Sequence, residues 1–271
     1  MTAKDEFGHV LSTAGVYEGR HVLVHASFRA IRSAFPDISI GDVVGAVEHL
    51  VTPLGSLIIP SFSYCYKRSN GEYTAFLRDR SPSAVGAVSE AFRLMPGVVR
   101  TSSPTHSFSL WGKAAAEIGA ANCPASPLGE GSVLDWMARK ANSLILMLGT
   151  DFSSFSFGHY LEMRNRVPWC NFSPWGYLGI LPIGVSEDRE IPIRENPGCS
   201  RSFVTFESYL LEQGIVEPHW HGEMRLLALP VPRLLEAGEV FFVQTPELLL
   251  CPKGTCKACD SRRRVFLERE G

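Results

Sequence analysis

The chain has 271 residues, 45% of them hydrophobic and 20% charged, with a net charge of -2. That length allows one large domain or two small ones around a substantial core. The near-neutral balance speaks against a general nucleic-acid binder, no apolar run approaches the ~20 residues of a membrane span, and the polar start "MTAKDEFGHV" has no signal-peptide core, so a cytoplasmic enzyme or binding protein is expected.

"HVLVHAS" (His21–Ser27) is a short β-branched run and reads as a buried strand. "ISIGDVVGAVEHLV" places Val43, Val44, Val47, Leu50 and Val51 at helical spacing, with Ser39 or Asp42 as the cap. "SLIIPSF" is a second buried strand, ended by Pro60. "SPSAVGAVSEAFRLMPG" reads as a helix entered at Ser81-Pro82 and stopped at Pro96-Gly97. "GSVLDWMARK" is another helix, followed by the most apolar strand, "SLILMLG". After Val167 the chain turns rich in Pro, Gly and aromatics, which suggests loops with short antiparallel strands. "SFVTFESYLLEQG" returns to a helix, with Phe203, Phe206, Leu210 and Leu211 on one face and Gly214 as its stop. "VPRLLEAGEVFFVQTPELLL" gives a last helical segment and an extended end. The succession predicts an α/β fold: a largely parallel central sheet with helices on both faces, plus an elaborated C-terminal half with short antiparallel strands. One domain over 1–271, with a Cys-rich tail over 251–271, is the economical division.

Parallel α/β sheets gather ligands at the carboxyl ends of their strands. Here those ends run into "HASFRAIRS", "PSFSY" and "GTDFSSFSFGHYLE", all bearing hydroxyls and two bearing histidines. "RTSSPTHSF" (Arg100–Phe108) is a fourth polar loop. In the third of the strand ends, His159 and Glu162 lie one helical turn apart. They form either an acid/base pair or an ordinary polar stripe on a helix.

These segments, in order, resemble the aminoglycoside 3-N-acetyltransferase family. "VLVHASFRAI", "LGSLIIPSFSY", "SPSAVGAVSEAFRLMPGVVRTSSPTHSF", "LGEGSVLDWM" and "LILMLGTDFSSFSFGHYLE" are each similar to a block of that family, together covering roughly residues 15–165. The sequence departs from the pattern where Ser103 replaces a histidine (His106 follows), Ser156 a threonine, and Val133 a proline.

The resemblance implies acetyl-CoA as cosubstrate and a small amine, an aminoglycoside or another amino sugar, as acceptor. Charge and hydropathy give no expectation of a nucleic-acid or membrane partner, and a homo-oligomer stays open. The resemblance makes His159 the general base. Glu162 either orients the imidazole or holds the acceptor's ammonium group. It places His25, Ser27, Phe28, Arg29, Arg100, Ser103, Thr105, Ser107, Ser132 and Ser156 around coenzyme A, with Arg29, Arg32 and Arg100 as candidate phosphate partners. Direct transfer in a ternary complex fits, because a Gly-x-Ser-x-Gly elbow, a Walker loop and a dinucleotide fingerprint are all absent. The acidic "SEDREIPIREN" (Ser186–Asn196) could line the cleft of a polycationic acceptor, or be a solvated loop.

Of seven cysteines, Cys251, Cys256 and Cys259 crowd into "CPKGTCKACD". In a reduced compartment such a cluster suggests a structural zinc, with Cys199, His219, His221 or Asp260 as fourth ligand, or a basic tail of reduced thiols. A zinc-stabilised binding protein without turnover is the rival of a different class.

Overall fold

The computed structural model describes residues 2–187 and 189–270, and side chains as far as residue 265. In chain order the elements are α1 (Ala3–Thr13), β1 (His21–Ala26), α2 (Phe28–Ala34), α3 (Ile40–Val51), β2 (Ser56–Pro60), β3 (Tyr66–Arg68), α4 (Ala87–Arg93), β4 (Val99–Arg100), β5 (Phe108–Gly112), α5 (Lys113–Ile118), α6 (Val133–Ala138), β6 (Ser143–Leu148), α7 (Phe157–Arg164), β7 (Ile180–Ser186), β8 (Arg189–Pro192), α8 (Val204–Glu212), β9 (Pro218–His221), β10 (Met224–Pro230), α9 (Val231–Gln244) and α10 (Lys257–Glu270).

Seven strands form one sheet in the order β4-β5-β2-β1-β6-β10-β9. The central three, β2, β1 and β6, are parallel, with His21 opposite both Ser56 and Ser143. The outer pairings are antiparallel. Alternation along the buried strands divides the core in two. Leu23, Ile58, Ile145, Met147, Leu227 and Leu229 face the cluster that includes α6, α7, α8 and α9. Val22, Val24, Leu57, Ile59, Leu144 and Leu146 face α1 and α3. The α/β class with helices on both faces is therefore as the sequence predicts, and β3, β7 and β8 form a small antiparallel sheet beside it.

Local chemistry explains most boundaries. Ser39 and Asp42 share a capping box at α3: Asp42 N–H donates to Ser39 Oγ at 3.1 Å, and Ser39 N–H to the Asp42 carboxylate at 3.0 Å. Gly214, at φ +62°, lies just past α8. Two expectations need correction. The helix predicted from Ser81-Pro82 begins only after Gly86, because Ala84 N–H donates to the Phe62 carbonyl and Ser83 N–H to Glu90, fixing that stretch as a loop. The extended end predicted after α9 is instead a 3-10 turn over Pro246–Leu249, followed by α10, so the Cys-rich tail is largely helical. No helix is long and apolar enough to cross a membrane among the described residues.

Candidate functional site

The carboxyl ends of β1 and β2 and the segment after β6 open into one cavity of about 770 Å³. Its floor is Val24, His25 and Ala26 from β1 and Ile59 and Pro60 from β2, and Ser156 and His159 enter from the β6–α7 segment. Helix α7 is buried on every side from Phe157 to Glu162. The exposed polar stripe is thereby excluded: His159 is 6% and Glu162 2% exposed. A carboxylate so placed must be paired, and Glu162 is paired three ways. It accepts from His159 Nδ1 at 2.7 Å, from Trp169 Nε1 at 3.0 Å and from Arg262 Nη1 at 3.0 Å. Burial alone would push its carboxyl up, but Arg262, then His159 and Trp169, outweigh burial and hold it below the ordinary carboxylate value. With Nδ1 bound to Glu162, the remaining ring nitrogen, Nε2, belongs to a ring that lines the cavity. Phe203 meets that ring edge-on at 4.9 Å.

Two further histidines line the same cavity, and both are neutral there. Burial holds His25 down to about 4, and its Nε2 meets Ser156 Oγ at 3.2 Å. Burial, helped by nearby His159, holds His106 down to about 3, and its Nδ1 meets Thr105 Oγ1 at 3.0 Å. His106 fills space beside the aromatic ring of Phe62, 4.7 Å away.

The residues assigned to coenzyme A separate into two groups. His25 and Ser156 line the cavity, while Ser27, Phe28 and Arg29, with Arg32, Gly86 and Ala87, line an adjoining open groove of about 730 Å³ that shares Ala26 with it. The others line neither. Arg100 is buried, and all five of its N–H groups are committed: Nε to Ser107 Oγ, Nη1 to the carbonyls of Arg78 and Ser81, and Nη2 to the Ser61 carbonyl and Ser63 Oγ. Its guanidinium stacks on Phe76. It has no donor left for a phosphate and instead ties three loops together, which corrects the expectation. Ser107 also donates to the Ser61 carbonyl, Ser103 accepts the His106 N–H, Thr105 holds the His106 ring, and Ser132 caps α6 through Asp135 N–H. These four hold loops and a helix start behind the site rather than lining it.

Among the described residues, no Asp or Glu lines the cavity, whereas Arg68 and Arg201 do, together with Tyr64, Tyr66, Trp175 and Tyr177. The acidic segment from Ser186 to Asn196 turns elsewhere. Glu187 is exposed, Glu190 pairs with Lys67, and Asp188 lies outside the described residues. Glu195 is buried in a separate hollow, accepting from Ser126 Oγ at 2.7 Å, and burial pushes its carboxyl up to about 7.

Residues 251–265 pack against this site. The sulfurs of Cys251, Cys256 and Cys259 meet that of Cys199, all four within 4.8 Å of one another. The other candidate ligands are engaged elsewhere. His221 stacks on Phe35 and pairs with Glu6, His219 stands opposite Leu226 on the edge strand β9, and Asp260 accepts the Gly254 N–H and Arg263. The sequence gives no sign of Trp169 or Arg262 as partners of Glu162, nor of the tyrosines on the cavity wall.

A profile of the aminoglycoside 3-N-acetyltransferase family matches residues 23–242. The SPbeta prophage-derived aminoglycoside N(3')-acetyltransferase-like protein YokD of Bacillus subtilis (strain 168) is 28% identical over 172 residues, 57% of this chain and 62% of that one. Aminoglycoside N(3)-acetyltransferase IV of Salmonella sp is 26% identical over 219 residues, 80% of this chain and 79% of that one. Among solved structures, the apoenzyme of aminoglycoside acetyltransferase AAC(3)-IVa superposes with a TM-score of 0.79 at 22% identity, covering 97% of this chain and 96% of that one. AAC-IIIb in a binary complex with CoASH superposes with a TM-score of 0.68 at 17% identity, covering 89% and 96%. The chain belongs to the aminoglycoside 3-N-acetyltransferase family.

Proposed function

We propose that the chain is a cytoplasmic acetyl-CoA-dependent N-acetyltransferase working by direct transfer, with His159 as general base. The observation that carries this reading is the buried His159–Glu162 pair, whose His159 ring lines the cavity. Family membership and a relative of the same fold captured with CoASH support the donor.

The chemistry needs a neutral amine, a base near neutrality and a held thioester. Glu162 accepts from Nδ1 and so fixes the tautomer whose lone pair sits on Nε2. As the acceptor nitrogen bonds to the acetyl carbon, Nε2 takes the nitrogen's proton. The carbon–sulfur bond then breaks, and the imidazolium returns a proton to the leaving thiolate, giving the amide and CoASH. Glu162 stabilises the transient imidazolium. The Ser156 hydroxyl faces the same space and can donate to the carbonyl oxygen as negative charge develops there. Arg29 and Arg32 line the groove and are suited to coenzyme A phosphates.

For the acceptor, the cavity favours an amine that is not a polycation. A polycationic aminoglycoside gains from carboxylates around it, whereas this cavity offers Arg68, Arg201 and four aromatic rings. An amino sugar or similar amine carrying a carboxylate or phosphate fits that lining better. Thiol release from acetyl-CoA across a panel of amines tests both halves. His159→Ala is expected to lower kcat by about 10²–10⁴-fold, the usual worth of a general base. Wild-type turnover by that variant would remove His159 from the role. A kcat/KM for gentamicin-type polycations well above that for anionic amino sugars would overturn the acceptor reading and leave the donor reading standing.

A further inference from the structure

Cys199 and the segment carrying Cys251, Cys256 and Cys259 are two stretches of chain about 50 residues apart, yet their sulfurs converge. Cys199 precedes the turn at Arg201–Phe203, Cys251 follows the turn at Pro246–Leu249, and Cys256 and Cys259 bracket the first turn of α10. Three of the four are buried and Cys256 is half-buried. Thiols are weak hydrogen-bonding groups, and nothing in their own chemistry explains why four should be collected. They are not disulfides, since a bridge brings sulfurs to about 2.05 Å and all seven cysteines here are free.

From this geometry we infer that the four cysteines hold a structural zinc ion. A tetrahedral site with Zn–S bonds of about 2.3 Å has sulfurs about 3.8 Å apart along each edge. Cys199 Sγ and Cys251 Sγ are 3.8 Å apart, and no pair exceeds 4.8 Å. Four thiolates select zinc or iron over hard cations. Four protein ligands leave no open position, so the ion does no chemistry on the substrate. The centre's net charge of -2 has one backbone donor and one cation beside it: the Arg201 backbone N–H donates to Cys199 Sγ at 3.4 Å, and the Arg263 guanidinium donates to the Cys251 carbonyl at 2.6 Å. Asp260 accepts the N–H of Gly254, at φ +82°, which sets the turn between Cys251 and Cys256.

The ion staples the 199 loop to α10, and α10 carries Arg262 to Glu162. The staple also reaches Gly198, where a Cβ would stand 2.3 Å from the guanidinium carbon of Arg262. Zinc is therefore the fixed point from which the carboxylate of the base is held, and Cys199 and Cys256, which also line the cavity, place the centre in its wall.

The test is metal analysis of the full chain, purified without chelator from zinc-supplied medium, for the wild type, Cys259→Ser and Cys65→Ser. One zinc per chain is expected in the wild type and in Cys65→Ser, and close to none in Cys259→Ser. Loading the wild type with Co(II) after zinc removal should give the intense visible bands of a tetrahedral cobalt tetrathiolate, a readout that does not depend on turnover or on any variant folding. Wild-type protein without zinc, iron in its place, zinc retained by Cys259→Ser or a cobalt spectrum lacking thiolate charge transfer would each overturn the assignment.

Discussion

Replacing Glu162 by glutamine removes one negative charge and leaves the side chain's size unchanged, yet it strikes two different interactions. The first is structural. Arg262 is buried, its Nε has no hydrogen-bond partner among the described residues, and its compensating charge is the Glu162 carboxylate at 3.0 Å. Stranding one half of a buried ion pair costs about 3–5 kcal/mol. At ~2–4 °C per kcal/mol for a chain of this size class, the lower figure corresponds to a fall in Tm of roughly 6–12 °C. The second is chemical. An amide presented nitrogen-first to His159 Nδ1 stabilises the tautomer with its proton on Nε2, which cannot act as a base, so kcat should fall within the ~10²–10⁴-fold worth of the base. The double variant Glu162→Gln/Arg262→Met separates the effects. Without the stranded cation it should recover most of the lost stability and none of the lost kcat. Urea denaturation and thiol release on the wild type, both single variants and the double variant complete the cycle. Wild-type kcat in Glu162→Gln would refute the orienting role. A double variant no more stable than Glu162→Gln alone would refute the charge argument.

Arg100→Met should lower stability by about 2 kcal/mol or more, because it leaves the carbonyls of Arg78 and Ser81 without their donor and takes one of two donors from that of Ser61. Its KM for acetyl-CoA, measured on the folded fraction, should stay near that of the wild type. Arg29→Ala together with Arg32→Ala should raise that KM several-fold at low salt, with kcat unchanged, and the difference should shrink as salt screens the groove. In the folded chain Glu195 keeps its proton to about pH 7, whereas the unfolded chain releases it near the ordinary value of 4.5. The folded state thus binds the extra proton between those values, and stability falls as pH rises through the window. Glu195→Gln should remove that loss, which is at most ~3 kcal/mol at 1.36 kcal/mol per pKa unit. Denaturation midpoints at pH 5 and pH 8 for both proteins check it.

What the sequence disclosed was set by how local each signal is. Ser39 and Asp42 act within one turn, and the β-branched runs of β1 and β6 are continuous, so these elements could be read directly. Helix α1 is hard to read because only two of its residues, Phe7 and Leu11, are fully buried, and Lys4, Asp5 and Glu6 crowd its first turn. The capping box of Thr2 and Asp5 was its one local sign. Strand β10 escaped because "MRLLALP" passes without a break into α9, and an apolar run that continues into a helix shows no change of period. At the site, His159 and Glu162 were legible because they are three residues apart. The burial of Arg100 could not be read because four of its five acceptors come from loops distant in sequence, and an arginine by itself gives no sign of burial. The cysteines lay between these extremes: three are neighbours in sequence, and the fold supplied the fourth.

The partnership of Glu162 with Arg262 spans 100 residues of sequence, and synthesis runs in one direction. At ~5–20 residues per second, about 5–20 seconds pass between the making of the carboxylate and the making of its cation. Throughout that interval α7 cannot bury Glu162 without a charge cost, so it must stay undocked or be sheltered. The rest of the parallel sheet core can form earlier, since β1, β2 and β6 have all emerged by residue 148. The base is thereby assembled among the last parts of the molecule, and a chain interrupted before Arg262 would carry a sheet but no working proton acceptor.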